Sequence, residues 1–322
     1  MKNMKTVAGM LCLAGILSLG MGTTVFAEDG DSHYPVTITT YNYENEPVEM
    51  TFEKAPEKVF AYANSNIEEL LALGLGDKIV AACGLDGDVR EDLKDEFDKI
   101  QYMDTKPSKE EVVAMEPDFI AAWYSSFSDD WLSDVSFWQE RDVNTYMSLN
   151  SSAKGPASEF PRTIEDEYED ILNLGKIFDC EDKAEEIVDQ MKGEIDKVKE
   201  HVEGTDPLSV AVLEDEGDSF RVYGTETLGG NIPETLGAEL KLGAENSENV
   251  GAEDLIAADP DVLFMINYDG FMTADEAIAD ITDNPAYASL SAVKNNKVFS
   301  VNLNEVYCSG VRTYDGIMTF AK

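Results

Sequence analysis

The chain has 322 residues, 43% of them apolar, enough to bury a substantial core and long enough for two domains. Its 65 acidic against 24 basic residues give a formal net charge of −41, which works against a polyanionic partner such as nucleic acid, because phosphate binding needs clustered Lys and Arg. Such a charge makes a soluble, self-repelling surface and does not by itself require a cationic ligand.

Met1 to Lys5 carry two lysines, Val7 to Val25 is apolar with glycine breaks, and Val25-Phe26-Ala27 is a small-x-small site before Glu28. The pattern predicts a signal peptide over residues 1–27, cleaved after Ala27, and hence an exported protein. No later segment is apolar enough to span a bilayer. Cys12 lies inside the apolar run without a recognisable lipobox before it, so a lipid anchor stays open as the lesser reading. Three cysteines follow, Cys83, Cys180 and Cys308, with no CxxC pair among them. They read as small buried apolar residues, with one bridge left open.

Residues 28–55 are polar and acidic around the alternating runs Val36 to Thr39 and Val48 to Phe52, which predict a leading hairpin. An N-terminal lobe over 56–160 opens with a strand Lys58 to Tyr62, a cap at Asn64-Ser65-Asn66, a helix Ile67 to Leu73 stopped by Gly74 and Gly76, and a strand Ile79 to Cys83. Over 161–180 the period turns helical through Ile164, Tyr168, Ile171, Gly175 and Phe178, and a second helical face runs from Ala184 through Ile187, Met191 and Ile195 to Val198. A C-terminal lobe, 181–322, continues with a strand Ser209 to Leu213, a helix Thr227 to Leu236 and a last strand Lys297 to Val301. The chain stops at Lys322 in the opening of a terminal helix.

One segment is present twice. Glu110-Glu111-Val112-Val113-Ala114-Met115-Glu116-Pro117-Asp118-Phe119-Ile120 returns as Glu253-Asp254-Leu255-Ile256-Ala257-Ala258-Asp259-Pro260-Asp261-Val262-Leu263. Each copy reads as a short helix ended before a proline and followed by a buried strand, because the residue before Pro is pushed out of the right-handed helical region. The fold class is therefore α/β, with two Rossmann-like lobes around mainly parallel sheets and sites at the carboxyl ends of their strands.

Few motifs carry reaction chemistry. The only histidines, His33 and His201, are too few for a His-rich transition-metal site, so no metal ligands are assigned. Ser151-Ser152-Ala153-Lys154 and Ser291-Ala292-Val293-Lys294 match SxxK without an accompanying KTG, and GxSxG and Walker sequences are absent. Trp123 and Tyr124 fall at the end of the strand Phe119 to Ala122, and Tyr268 holds the related place in the second lobe, where such residues either line a pocket or pack. Trp131, Phe137 and Trp138 have core spacing. Arg90, Arg221 and Arg312 lie near strand ends or turns in a chain poor in arginine, either as surface ion pairs or as ligand donors.

The segments Pro56 to Val59, Asn66 to Gly74, Glu110 to Asp118, Gly229 to Ala238, Glu253 to Asp261 and Asn284 to Val298, in this order and spacing, resemble the substrate-binding proteins of ABC importers for ferric siderophores, haem and cobalamin. The resemblance implies a non-enzymatic, monomeric binding protein at the outer face of the membrane or in the periplasm. It implies two lobes joined by one long stiff helix, here Thr163 to Phe178, with the ligand in the cleft. It also implies one surface glutamate per lobe docking on the arginines of a permease dimer, and Glu110 and Glu253 match those positions. A bulky, often anionic iron–siderophore chelate calls for aromatic walls, here Trp123, Tyr124 and Tyr268, and guanidinium donors, here Arg90, Arg221 and Arg312, with no further cofactor. Cobalamin or haem is the alternative within the family, and a secreted hydrolase the alternative outside it. The intact mass of the exported protein should correspond to a chain beginning at Glu28; a diacylglyceryl-modified amino-terminal cysteine would contradict this processing.

Overall fold

A computed structural model describes residues 33–243, 249–268 and 270–322. The expected signal peptide, with its cleavage site, and Cys12 lie outside the described residues. An antiparallel hairpin comes first, β1 (Val36–Tyr41) against β2 (Pro47–Phe52), where strict alternation leaves Ile38, Thr40, Met50 and Phe52 buried.

The first lobe follows as β3 (Val59–Tyr62), α1 (Asn64–Ala72), β4 (Ile79–Cys83), α2 (Lys94–Phe97), β5 (Tyr102–Met103), α3 (Lys109–Ala114), β6 (Phe119–Ala122), α4 (Val135–Gln139) and β7 (Asn144–Met147). Its strands pair in parallel in the order β5-β4-β3-β6-β7. Two helices then run in succession, α5 (Ile164–Ile177) and α6 (Glu181–Val202). Thr163 caps α5 by accepting from the Asp166 N–H at 3.2 Å, and Ala184 packs where a Cβ on Gly175 would come within 2.5 Å of it.

The second lobe contains β8 (Ser209–Asp215), β9 (Phe220–Val222), α7 (Leu228–Thr235), β10 (Glu239–Leu240), α8 (Ala252–Ala258), β11 (Val262–Asn267), α9 (Ala274–Thr282), α10 (Ser291–Lys294), β12 (Val298–Asn302) and α11 (Thr313–Phe320). The order β10-β8-β11-β12 is again parallel, and β9 is added antiparallel on β8. Every residue of β6 and of β11 is buried, as sheets covered on both faces require.

The repeated segment does the same work in each lobe. Glu116 and Asp259, each directly before a proline, take positive φ of 51° and 41° and end α3 and α8. The aspartate after the proline clasps the start of the neighbouring strand: Asp118 Oδ1 accepts from the Lys58 N–H at 2.8 Å, and Asp261 Oδ2 from the Ser209 N–H at 3.1 Å.

At α1 the structure departs from expectation. The cap position is Ala63, at φ 75°, and no side chain caps the helix. Asn64, Ser65 and Asn66 instead form its buried first turn, where Asn64 Oδ1 accepts from the Asp86 N–H at 2.9 Å and Asn66 Nδ2 donates to Tyr62 O at 2.9 Å. Their polar atoms anchor the strand-end loops rather than the helix terminus. Cys83, Cys180 and Cys308 are all unpaired, and Cys83 and Cys308 are buried.

The C-terminal segment returns to the first lobe. Arg312 Nε and Nη2 each donate at 2.7 Å to the Glu68 carboxylate of α1, whose side chain has 0% exposure. The Arg90 backbone N–H donates to the same carboxylate at 2.8 Å, while Arg90 Nη1 donates to Val311 O at 3.0 Å. Breaking one partner of such a pair strands a buried charge. Arg312→Met should therefore cost about 3 to 5 kcal/mol in urea unfolding, and a loss within error of zero would show that Glu68 finds another partner.

Candidate functional site

In each sheet the chain reverses the direction in which it adds strands, between β3 and β6 in the first lobe and between β8 and β11 in the second. A crevice opens outside the carboxyl ends of strands at such points. Tyr62 closes β3 and Trp123 follows β6. Their rings meet edge to face at 6.4 Å, and Trp123 Nε1 donates to Ser65 Oγ at 2.9 Å, which fixes the indole plane. Tyr307, from the segment after β12, meets Trp123 edge to face at 5.9 Å and keeps 41% of its surface exposed. On the far side of Tyr62, the Lys106 ammonium lies 3.6 Å above the Trp131 ring and 5.5 Å from the Tyr62 ring. Burial lowers the pKa of that lysine.

From the second lobe, Arg221 on β9 keeps 52% of its side chain exposed and lies 3.7 Å from Glu214 Oε2. The Tyr223 hydroxyl donates to the same Glu214 oxygen at 2.9 Å, beneath the Arg221 guanidinium at 5.6 Å from the Tyr223 ring. Burial pushes the Tyr307 hydroxyl up, Cys308 adds to the rise, and the charges of Arg221 and Arg162 pull it down. Trp123 and Tyr307 thus form an aromatic pair, while Arg221 stands half exposed at the carboxyl end of β8, paired with Glu214. Tyr268 directly follows β11 and packs at 5.4 Å against Phe271, which is 85% exposed.

The remaining sequence candidates lie elsewhere. Tyr124 stacks on Tyr43 at 4.8 Å and donates from its hydroxyl to Tyr43 O at 2.9 Å, so it fastens the turn of the leading hairpin. Arg312 is committed to Glu68, and Arg90 to Asp92 at 3.0 Å, Val311 O and Asp315 at 3.7 Å. Tyr307 and Tyr62 are not among the residues that the sequence singles out. Position after a strand, the criterion that selects Trp123, could have found Tyr62 directly and Tyr307 with more difficulty, because a short helical turn separates it from β12.

Glu110 and Glu253 occupy the second position of α3 and α8, both exposed, and among the described residues neither makes an ion pair or side-chain hydrogen bond. The acidic residue after each is spent on the helix terminus. Glu111 Oε2 accepts from the Ser108 N–H at 2.8 Å, and Asp254 Oδ2 from the Gly251 N–H at 2.9 Å. Near the end of α5, His33 Nε2 donates to Lys176 O at 2.7 Å while Nδ1 faces Asp179 at 3.4 Å and Glu181 at 3.3 Å. This surface group is where a cation could be held outside the cleft.

The family model for periplasmic binding proteins matches residues 59–302. The crystal structure of a periplasmic binding protein from Veillonella parvula superposes with a TM-score of 0.82 at 33% identity, over 88% of this chain and 89% of that one. An uncharacterized ABC transporter substrate-binding lipoprotein of Bacillus subtilis, YvrC, is 24% identical over 100% of this chain and 97% of its own. The Fe(3+)-citrate-binding protein YfmC of the same organism is 25% identical over 62% of this chain and 58% of its own.

The two neighbouring glutamates of α3 should separate in a stability assay. The hydrogen bonds from Ser108 hold the Glu111 carboxyl below its ordinary range. Its contribution is therefore present at neutral pH and lost as the pH falls through the folded value. Glu111→Ala should lower the thermal midpoint at pH 7 and lose that effect in acid, whereas Glu110→Ala should leave the midpoint unchanged at both.

Proposed function

Because the chain belongs to the periplasmic binding protein family, we propose that it is the extracytoplasmic component of an ABC importer that captures a ferric-siderophore chelate and delivers it to a membrane permease. As a member of that family it is a binding protein and not an enzyme. The observation that carries the reading is the edge-to-face pair of Trp123 and Tyr307 at the strand ends, together with the half-exposed Arg221 guanidinium at the end of β8 in the second lobe. Flat aromatic faces suit the apolar surface of a metal chelate, and a half-exposed guanidinium suits its oxygen atoms. The likeness to the Fe(3+)-citrate-binding protein of Bacillus subtilis supports a ferric ligand, and the likeness to the ABC transporter substrate-binding lipoprotein of the same organism supports an outer-face location.

In this reading Trp123, Tyr307 and Tyr62 form one wall and Tyr268 with Phe271 a second, with Arg221 as the donor nearest to solvent. Arg90, Arg312 and Tyr124 hold the framework. Glu110 and Glu253 dock on the permease as a symmetric pair, one from each copy of the repeated segment.

Two measurements test this. Tryptophan fluorescence of the protein should be quenched by a ferric siderophore at micromolar concentration. Arg221→Ala should weaken that binding roughly tenfold, for a charge-assisted contact of about 1.5 kcal/mol. Quenching by cobalamin or haem alone would replace the ligand and leave the binding-protein reading standing. In vesicles carrying the permease, Glu110→Ala combined with Glu253→Ala should cripple uptake while affinity for the free ligand stays near wild type. Loss of affinity in that double variant would move the two glutamates into the cleft or the core.

A further inference from the structure

Three carboxylates are buried together behind the cleft. Glu69 comes from α1, Glu167 and Asp170 from α5, each at most 1% exposed, and one oxygen of each lies within 4.8 Å of the others. Two of them are well supplied with donors. Glu167 accepts from Asn150 Nδ2 at 2.6 Å and from the backbone N–H groups of Ser309 and Gly310. Asp170 accepts from the Tyr146 hydroxyl at 2.7 Å and the Leu149 N–H at 3.0 Å. Glu69 differs, because its Oε1 is buried and has no hydrogen-bond partner.

No cation relieves the cluster, since among the described residues none of its three carboxylates forms an ion pair. On α1 the neighbouring Glu68 takes Arg312 and the Arg90 N–H, and on α5 Asp166 takes Lys154 at 2.6 Å. Tyr146 from β7 and Cys308 from the C-terminal segment complete the facing titratable groups. Three negative charges this close cannot coexist away from water.

We propose that Glu69 is a neutral carboxylic acid, its proton removing the charge that would otherwise face Glu167 and Asp170, so that the junction of the lobes is tight in acid and loosens as the pH rises. Burial, then the charge of the neighbouring carboxylates, pushes Glu69 and Asp170 well above the ordinary carboxylate range, and burial raises Glu167 to about 7. The folded state therefore keeps protons that the unfolded chain releases. Stability is full below the ordinary carboxylate range, falls above it, and reaches its lower plateau once the folded values are passed.

The cluster touches the cleft through two short routes. Ser309 and Gly310, which bind Glu167, lie just beyond Tyr307 in the chain. Gly310 also has φ +53° and stands where an added Cβ would come within 2.7 Å of Glu69 Oε1. Cys308 Sγ lies 3.9 Å from Ser65 Oγ, the acceptor of the Trp123 indole. The device is a property of the junction and does not depend on which ligand the cleft holds.

Urea unfolding of the whole protein between pH 5 and 7 tests it. The folding equilibrium constant should fall with rising pH by about tenfold per unit for each proton retained. Glu69→Gln, which replaces the acid proton by an amide donor, should be shallower by one such proton, while Glu203→Gln on the exposed end of α6 should keep the wild-type slope. Infrared spectra of the wild type should show the carbonyl stretch of a protonated acid at pH 6.5, a readout that does not depend on any variant folding. Equal slopes for Glu69→Gln and wild type, or absence of that band, would overturn the proposal. So would a stoichiometric divalent cation in the purified protein whose chelation destabilises it, since the cluster would then be a metal site.

Discussion

Arg312, Arg90 and Glu68 meet in a junction built around a fully buried carboxylate, and the cleft depends on it. Arg312 comes from the segment beyond the last strand, Glu68 from the first helix of the other lobe, and the carboxylate receives three N–H groups from the two arginines. A charge buried this deeply tolerates only a partner in good geometry, so the pair sets where the C-terminal segment can lie. With that segment placed, Tyr307 falls against Trp123, and Ser309 and Gly310 fall against Glu167. Cleft and carboxylate cluster are two consequences of one return of the chain.

The same constraint decides which cations remain for a ligand. In a chain of net charge −41, carboxylates outnumber and compete for the few guanidinium groups. Arg90 and Arg312 are consumed by Glu68, Asp92 and Asp315, while Arg221 shares Glu214 with a tyrosine hydroxyl and remains half exposed. Lys106 is held over two aromatic rings in place of a carboxylate. The arginines near the cleft thus differ in role because of their neighbours, a property that residue type alone does not carry.

The repeated segment shows how one local solution serves two lobes. A strand buried on both faces leaves no side chain free to mark its start, and in both copies an aspartate beside the proline supplies that mark by binding the N–H that opens the adjacent strand. The preceding helix then presents one acidic residue to its own terminus and one to solvent. The duplication therefore extends from pattern to hydrogen bonding, although the cap residues themselves, Ser108 and Gly251, differ.

The sequence by itself determined what depends on neighbours along the chain. Alternation in β1 and β2, the period of α5, the proline stops after α3 and α8 and the buried strands β6 and β11 are all local, and all are present where the residue pattern places them. Position after a strand placed Trp123 at the end of β6, because the carboxyl end of a parallel strand is a fixed place in a doubly wound sheet. Tertiary structure alone decided the rest. Asn64, Ser65 and Asn66 have the composition of a cap, yet the Asp86 N–H, the Trp123 indole and the Ser148 hydroxyl, 22 to 82 residues away, claim their polar atoms. Tyr124 turned to Tyr43, Arg312 to Glu68, and Tyr307 to Trp123 across separations of 81, 244 and 184 residues. A side chain with several possible partners is assigned by whichever of them the fold brings within hydrogen-bond or van der Waals reach, and that proximity is not written in the spacing of the residues.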